Sequence, residues 1–368
     1  MNRVFLFICS CIIFSAGLVM IFSTTSAEIL DHDLELNTHQ ALIKQICFGG
    51  IGLLLAFLLW KMGYEKIINY SPYLYLFFTF LLIIVLIPGI GKEVNGSRRW
   101  LSLLGISFQP SEFIKYIVPA YFIYEITALQ NQGYNFKFFL KIIIKGFIPI
   151  FLILLEPNNG TAAVVGLCLI MLCYLAKVPF RYWALPLIVA ISIGAIFAYH
   201  SPYVSNRLRV YLHPELDLKG KGHQPHQAKI AAGSGKLMGR GPGASLQKWS
   251  YLPEAQNDYI AAIYAEEFGF IGILSMIFVY LLISTIGFQI AMQCQDRLGF
   301  YFGATITFLF TFQTFMNLGV VSGLLPSTGL NLPLFSQGGT SLMANIAAIG
   351  ILCDISRKKT TLLKYLND

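Results

Sequence analysis

Asp258 stands where a carboxylate could do chemistry on a lipid-borne substrate. It ends the run Tyr251-Leu252-Pro253-Glu254-Ala255-Gln256-Asn257-Asp258, where a long polar segment meets an apolar stretch opening at Tyr259. Basic residues precede it: Arg207 and Arg209 alternate, His213-Pro214 follows, and Lys248 lies ten residues before the carboxylate. A carboxylate that takes a proton, beside cations that stabilise departing charge, suits a reaction whose leaving group is a pyrophosphate. The same cations equally suit contact with lipid headgroups. Glu254 is the rival carboxylate, placed after Pro253 where it could cap the coming helix. Glu266 and Glu267, two turns into the apolar stretch, fit either a structural pairing or a catalytic role.

A second group lies earlier in the chain. Phe108-Gln109-Pro110-Ser111 reads as a helix start, with Glu112 in the first turn and Lys115 three residues on. The pair is either a cap with an i,i+3 contact or a charge facing a polar cavity, since intramembrane charges are costly and usually functional. Upstream, Arg98 and Arg99 precede Trp100. Guanidinium groups there fit a phosphorylated substrate, and with an interfacial tryptophan they fit headgroups as well.

The elements that must position these groups are membrane helices. A chain that is 56% hydrophobic and 12% charged is not a soluble globular protein. Apolar stretches of about 17–25 residues indicate helices rather than a barrel. Ten spans are predicted: Val4–Phe22, Ala41–Trp60, Tyr73–Ile90, Glu112–Leu129, Phe138–Leu155, Thr161–Ala176, Tyr182–Tyr199, Tyr259–Ile286, Leu298–Leu318 and Ser341–Ile355. The expected fold is an all-α polytopic membrane protein of about ten transmembrane helices, one domain over residues 1–368. The first apolar core is too long for a signal peptide and reads as a retained helix.

Alternate connections collect Arg3, Lys61 and Lys66, Lys137, Lys141 and Lys145, Lys177 and Arg181, Arg297, and Arg357, Lys358, Lys359 and Lys364. The short connections on the other side carry Lys92, Arg98 and Arg99. By the positive-inside rule both termini are cytoplasmic. The same asymmetry explains the net charge of +8 without nucleic-acid binding. Residues 201–258 then form one large extracytoplasmic loop holding eight of the 26 basic residues, expected to be an ordered, sharply turning cap. Its Gly233-Ser234-Gly235-Lys236 is no phosphate-binding loop, because Ile230 and Leu237 stand where Gly and Ser or Thr are needed. Val320 to Thr340 carries no charge and is broken by Gly and Pro, which predicts a re-entrant segment buried in protein. The seven cysteines form no zinc or CxxC spacing and read as packing residues.

Taken in order, these segments resemble the SEDS family of bacterial membrane proteins (FtsW/RodA/SpoVE). The resemblance rests on Asn95-Gly96, Arg99-Trp100 and Gln109-Pro110-Ser111-Glu112 with Lys115. It continues through Leu252-Pro253-Glu254, Asp258-Tyr259, Glu266-Glu267 with Gly269, Gly323 to Gly329, and Gly338-Gly339-Thr340-Ser341. Gln247-Lys248, Tyr251 to Ala255, and Ser341-Leu342-Met343-Ala344-Asn345 resemble the division branch, FtsW, more than the elongation branch, RodA. Departures are Asn in Glu156-Pro157-Asn158-Asn159-Gly160-Thr161 where the family often has an acid, Gln337 for Tyr, and Gln256-Asn257 for His-Thr.

The resemblance implies a peptidoglycan glycosyltransferase of the bacterial inner membrane that polymerises lipid II, with undecaprenyl pyrophosphate leaving. Asp258 is then the expected general base. Lys115, Arg207, Arg209 and Lys248 are expected to meet the pyrophosphate, with or without a divalent cation (Mg or Mn), and Glu112, Arg98, Arg99, Gly338 and Gly339 to help hold the substrate. The implied partner is a class B penicillin-binding transpeptidase of the divisome. A lipid II flippase is the competing expectation, though it predicts charges spread through the midplane and inverted repeats.

Overall fold

The computed structural model describes residues 2–32, 39–94, 97–103, 106–132, 135–200, 211–212, 222–249, 252 and 255–365. Ten long helices lie where the ten spans are expected: α1 (Asn2–His32), α2 (Gln40–Met62), α3 (Tyr64–Leu86), α4 (Pro110–Gln132), α5 (Phe136–Leu155), α6 (Asn159–Leu175), α7 (Phe180–His200), α9 (Ile260–Met292), α10 (Arg297–Val321) and α11 (Gly339–Tyr365). A shorter helix, α8 (His223–Ser234), belongs to the large loop. Among the described residues, seven of the ten are long and apolar enough to cross a membrane by themselves. Of the others, α4 carries Glu112, Lys115 and Glu125, while α6 is short and mostly buried.

The centre of the bundle is α10, which packs against α3, α4, α6, α8, α9 and α11. Lipid tails are as apolar as leucine, so helices in a membrane associate through close packing of small residues. Gly303 of α10 sits against Ala291 of α9, and Gly287 of α9 against Thr307. Gly52 and Ala56 of α2 fit against Met343, Ile346 and Gly350 of α11. The outward faces of α2 and α3 expose Leu53, Leu54, Phe57, Leu76, Phe77 and Phe80, the composition of a lipid-facing surface. The first span is integral: Gly17 of α1 touches the backbone of Phe335. All seven cysteines are unpaired.

Three features depart from the sequence expectation. First, α3 begins at Tyr64 rather than Tyr73 and runs through Pro72. Proline lacks the N–H that would reach the carbonyl of Ile68, and the Ser71 hydroxyl donates to that oxygen instead, at 2.6 Å. The same substitution occurs at Pro149 of α5, where the Tyr75 hydroxyl donates to Lys145 O at 2.6 Å. Second, the connection from α3 to α4 holds a three-stranded antiparallel sheet, so the chain is mostly but not wholly helical. Its strands are β1 (Gly91–Val94), β2 (Ser97–Leu103) and β3 (Ile106–Phe108). Third, the apolar run after Asp258 is not one continuous helix: α9 breaks at Gly269, with φ 67° and ψ −164°.

That break is completed by the large loop. Residues 235–243 insert their backbone into it: Phe270 and Ile271 donate to Lys236 O and Leu237 O, while Arg240 and Gly241 donate to Glu266 O and Glu267 O. Non-helical backbone in a lipid-embedded bundle needs such internal partners. Glycine is required on both sides. A Cβ on Gly239 (φ 79°) would lie 2.1 Å from Glu267 O, and one on Gly269 would lie 2.3 Å from the Gly239 nitrogen. Gly239→Val should therefore disrupt the insertion and lower stability by more than about 2 kcal/mol. Thermal unfolding in detergent checks this, and an unchanged midpoint would contradict the inserted-loop geometry.

Candidate active site

Asp258 lies two residues before α9, at a helix end whose dipole favours an anion. Its backbone carbonyl accepts a hydrogen bond from Asn317 Nδ2 of α10 at 2.8 Å, and the same nitrogen donates to Leu330 O at 2.8 Å. The adjacent Gln256 carbonyl accepts from Gln337 N at 2.9 Å, and the Tyr259 hydroxyl donates to Ser327 Oγ at 3.2 Å. The segment carrying the carboxylate is thus fastened to residues 322–338. Leu330 and Leu332 to Ser336 of this stretch are buried as the sequence predicts, while Ser322 and Leu324 are exposed.

Arg99 reaches the same place. The register between β1 and β2 pairs Lys92 with Trp100 and Glu93 with Arg98, so Arg99 is the extra residue of a β-bulge. A bulge re-aims a side chain. Arg99 Nε donates to Glu156 O at 3.0 Å and its Nη2 to Pro157 O at 2.6 Å, in the turn between α5 and α6. At Gly329 (φ 73°) the Cβ position is 3.5 Å from Asp258 Oδ2 and 4.0 Å from Arg99 Nη1. Carboxylate and guanidinium converge on one glycine, where a side chain would crowd both.

Behind them runs a buried polar network. Lys115 Nζ donates to Glu112 Oε2 at 2.6 Å and to Gln313 Oε1 at 2.9 Å. Gln313 Nε2 in turn donates to Asn331 O at 2.8 Å, and Asn331 Nδ2 to Gln337 O at 3.0 Å. The Tyr116 hydroxyl donates to Asn345 Oδ1 at 2.7 Å. Lys115 is enclosed at 2% exposure, so it supports the re-entrant segment through Gln313 and does not line an open surface.

Other expected site residues stand apart. Lys248 is buried, and its ammonium donates to Glu267 Oε1 (2.9 Å), Gly243 O (2.6 Å) and Ser23 Oγ (3.0 Å). Its three hydrogens are used in holding the loop to α9 and α1, which corrects the expectation that it meets a pyrophosphate. Glu266 takes Ser245 Oγ at 2.6 Å and the amides of Leu246 and Gln247, so both glutamates are structural here. Arg98 instead pairs with exposed Glu93 at 3.0 Å. Gly338 and Gly339 are packing positions, where a Cβ would meet Asn331 Nδ2 at 2.4 Å and the Phe48 ring at 2.5 Å. Arg207, Arg209, His213-Pro214, Glu254 and Asn95-Gly96 lie outside the described residues.

The sequence reading missed Gln313, Asn317 and Glu156. The first two were signalled by spacing, as amides four residues apart in an apolar span, hence on one face. Among the described residues no three His, Cys, Asp or Glu side chains gather to hold a metal.

Removing one member of a buried ion pair strands the other. Lys115→Met should cost about 3–5 kcal/mol, and adding Glu112→Gln should return much of that loss. Thermal unfolding of the single and double variants measures it, and equal stability of wild type and Lys115→Met would refute the pairing.

Comparisons with known proteins agree with this architecture. A family model described as "Cell cycle protein", FTSW_RODA_SPOVE, matches residues 3–361. Stage V sporulation protein E of Bacillus subtilis is 34% identical over 363 residues, covering 96% of each chain. The probable peptidoglycan glycosyltransferase FtsW of Coxiella burnetii is 37% identical over 356 residues, covering 95% of this chain and 94% of its own. Among solved structures, a peptidoglycan synthase complex that coordinates polymerization and crosslinking contains a chain with TM-score 0.75 and 26% identity, covering 96% of this chain and 97% of that one. The rod shape determining protein RodA of Thermus thermophilus gives TM-score 0.68 at 25% identity, covering 96% of both. With ordered motifs, helix arrangement and likenesses agreeing over nearly the whole chain, the protein belongs to the FtsW/RodA/SpoVE family and is a membrane-embedded glycosyltransferase.

Proposed function

We propose that this chain polymerises lipid II into glycan strands for the cell division septum, at the outer face of the bacterial cytoplasmic membrane with both termini inside. The observation that carries the reading is the convergence of the Asp258 carboxylate and the Arg99 guanidinium on Gly329. In the reaction the acceptor sugar hydroxyl attacks the anomeric carbon of the donor. Its proton passes to Asp258 as the new C–O bond forms. The bond to undecaprenyl pyrophosphate breaks, and the pyrophosphate leaves with the electron pair. Arg99, with Arg207 and Arg209 from the large loop, stabilises that charge. Glu112 and Lys115 support the re-entrant segment against which the carboxylate is set. A class B penicillin-binding transpeptidase is the proposed partner.

Relatives named FtsW and the sporulation relative are similarly close to this chain, so sequence likeness alone does not separate their roles. The division role is favoured by the stretch Ser341 to Asn345. Depletion should then give filaments without septa.

The chemistry is tested by purifying the chain with its transpeptidase partner, supplying lipid II and comparing wild type with Asp258→Asn. The variant should fold and bind its partner, while polymerisation falls by at least about 100-fold. Equal polymer from the variant would sink the base assignment. Lipid translocation with no polymer from either protein would favour a flippase.

A further inference from the structure

Glu156 has no part in the reaction as described, yet its setting is unusual. It caps α5 at the turn that receives Arg99, and it is wholly enclosed. Neither carboxyl oxygen has a hydrogen-bond partner. A carboxylate buried this way would normally collect donors or exchange with a neutral residue.

Its neighbours define what it can do. Arg99 of β2 is the charged group acting on it, and the guanidinium is bonded to the Glu156 backbone carbonyl rather than to its side chain. From α4, Glu112 is committed to Lys115, and Ser111 accepts from Asn158 Nδ2 at 3.3 Å. From the re-entrant segment, Thr328 and Leu330 pack against Gly160 one turn further along. Asp258 Oδ2 and Arg99 Nη1 lie 3.5 and 4.0 Å from the Cβ position of Gly329. Arg99 therefore has two acidic residues near it: Glu156, whose backbone carbonyl it bonds, and Asp258, the proposed base. Burial pushes the Glu156 carboxyl well above the usual carboxylate range, against the pull of Arg99. Enclosure without a donor to either oxygen favours the uncharged form of a carboxyl group.

We propose that Glu156 is a positioning residue for glycosyl transfer: as an uncharged acid it fills the inner side of Arg99 and leaves the guanidinium's charge directed at Asp258 and the departing phosphate. An ionised Glu156 would turn Arg99 inward and weaken both interactions. The inference rests on the reading of Asp258 as base and of a pyrophosphate as leaving group.

Two variants test it, Glu156→Gln and Glu156→Met, each purified with the transpeptidase partner and assayed with lipid II from neutral to alkaline pH. Wild-type activity should decline on the alkaline side as Glu156 ionises. In Glu156→Gln the ratio of alkaline to neutral rate should rise by at least about fivefold. The same alkaline decline in the variant would overturn the proposal, as would an equal loss at every pH.

Stability supplies a second readout. A folded-state acid raised above its unfolded value holds a proton that the unfolded chain releases, so it costs stability as pH climbs above about 4.3. The unfolding midpoint of Glu156→Gln should therefore rise relative to wild type over that interval, and Glu156→Met should be at least as stable as wild type. Failure of both variants to fold would show a structural anchor and overturn the proposal. An Asp258→Asn control that still polymerises would remove the base reading while leaving the Glu156 comparison legible.

Discussion

The placement of the proposed base depends on one amide fork. Asn317, almost fully enclosed in α10, donates to the carbonyls of Asp258 and Leu330 from a single nitrogen. One carbonyl belongs to the segment entering α9 and the other to the re-entrant segment after α10. Joining them brings Asp258 to Gly329, and the bulged Arg99 arrives at the same glycine from the sheet. Neither segment is helical there, so neither could hold this geometry by its own backbone hydrogen bonds.

The rest of the structure answers the same demand, that polar backbone inside an apolar bundle finds partners within the protein. The break in α9 is filled by loop backbone, and Glu266 and Glu267 bind the amides and the lysine of that loop. Carbonyls freed by Pro72 and Pro149 receive hydroxyls. Lys115 shares its charge between Glu112 and Gln313. Glu156 stands out against this pattern, because its side chain alone among the described carboxylates has both oxygens enclosed without a partner.

Much of this was legible in the sequence. Span positions follow from apolar run length, and the Pro110 helix start and the enclosure of Leu332 to Ser336 within the uncharged Val320 to Thr340 stretch follow from local composition. Asp258 was marked as a candidate by its place at the junction. Most of what escaped depends on contacts between distant segments. Ser71-Pro72 reads as a break until Ser71 itself repairs it. The break at Gly269 exists because loop residues 235–243 pack into it, and hydropathy does not report that. The role of Lys248 is set by Ser23 and Glu267, far away in sequence. The sheet had a local cue, Asn95-Gly96 between short segments, a dipeptide typical of tight hairpins. Arg98 and Arg99 look equivalent as letters, and only the strand register separates them.

The central claim is that the Asn317 fork positions a catalytic carboxylate. It is tested most directly by the turnover of Asn317→Leu on lipid II, measured alongside lipid II affinity. A misplacement of about 1 Å can cost on the order of 100-fold in rate. Turnover should fall by about 10- to 100-fold, with lipid II binding within about threefold of wild type and the chain folded. Unchanged turnover in a folded Asn317→Leu protein would contradict it.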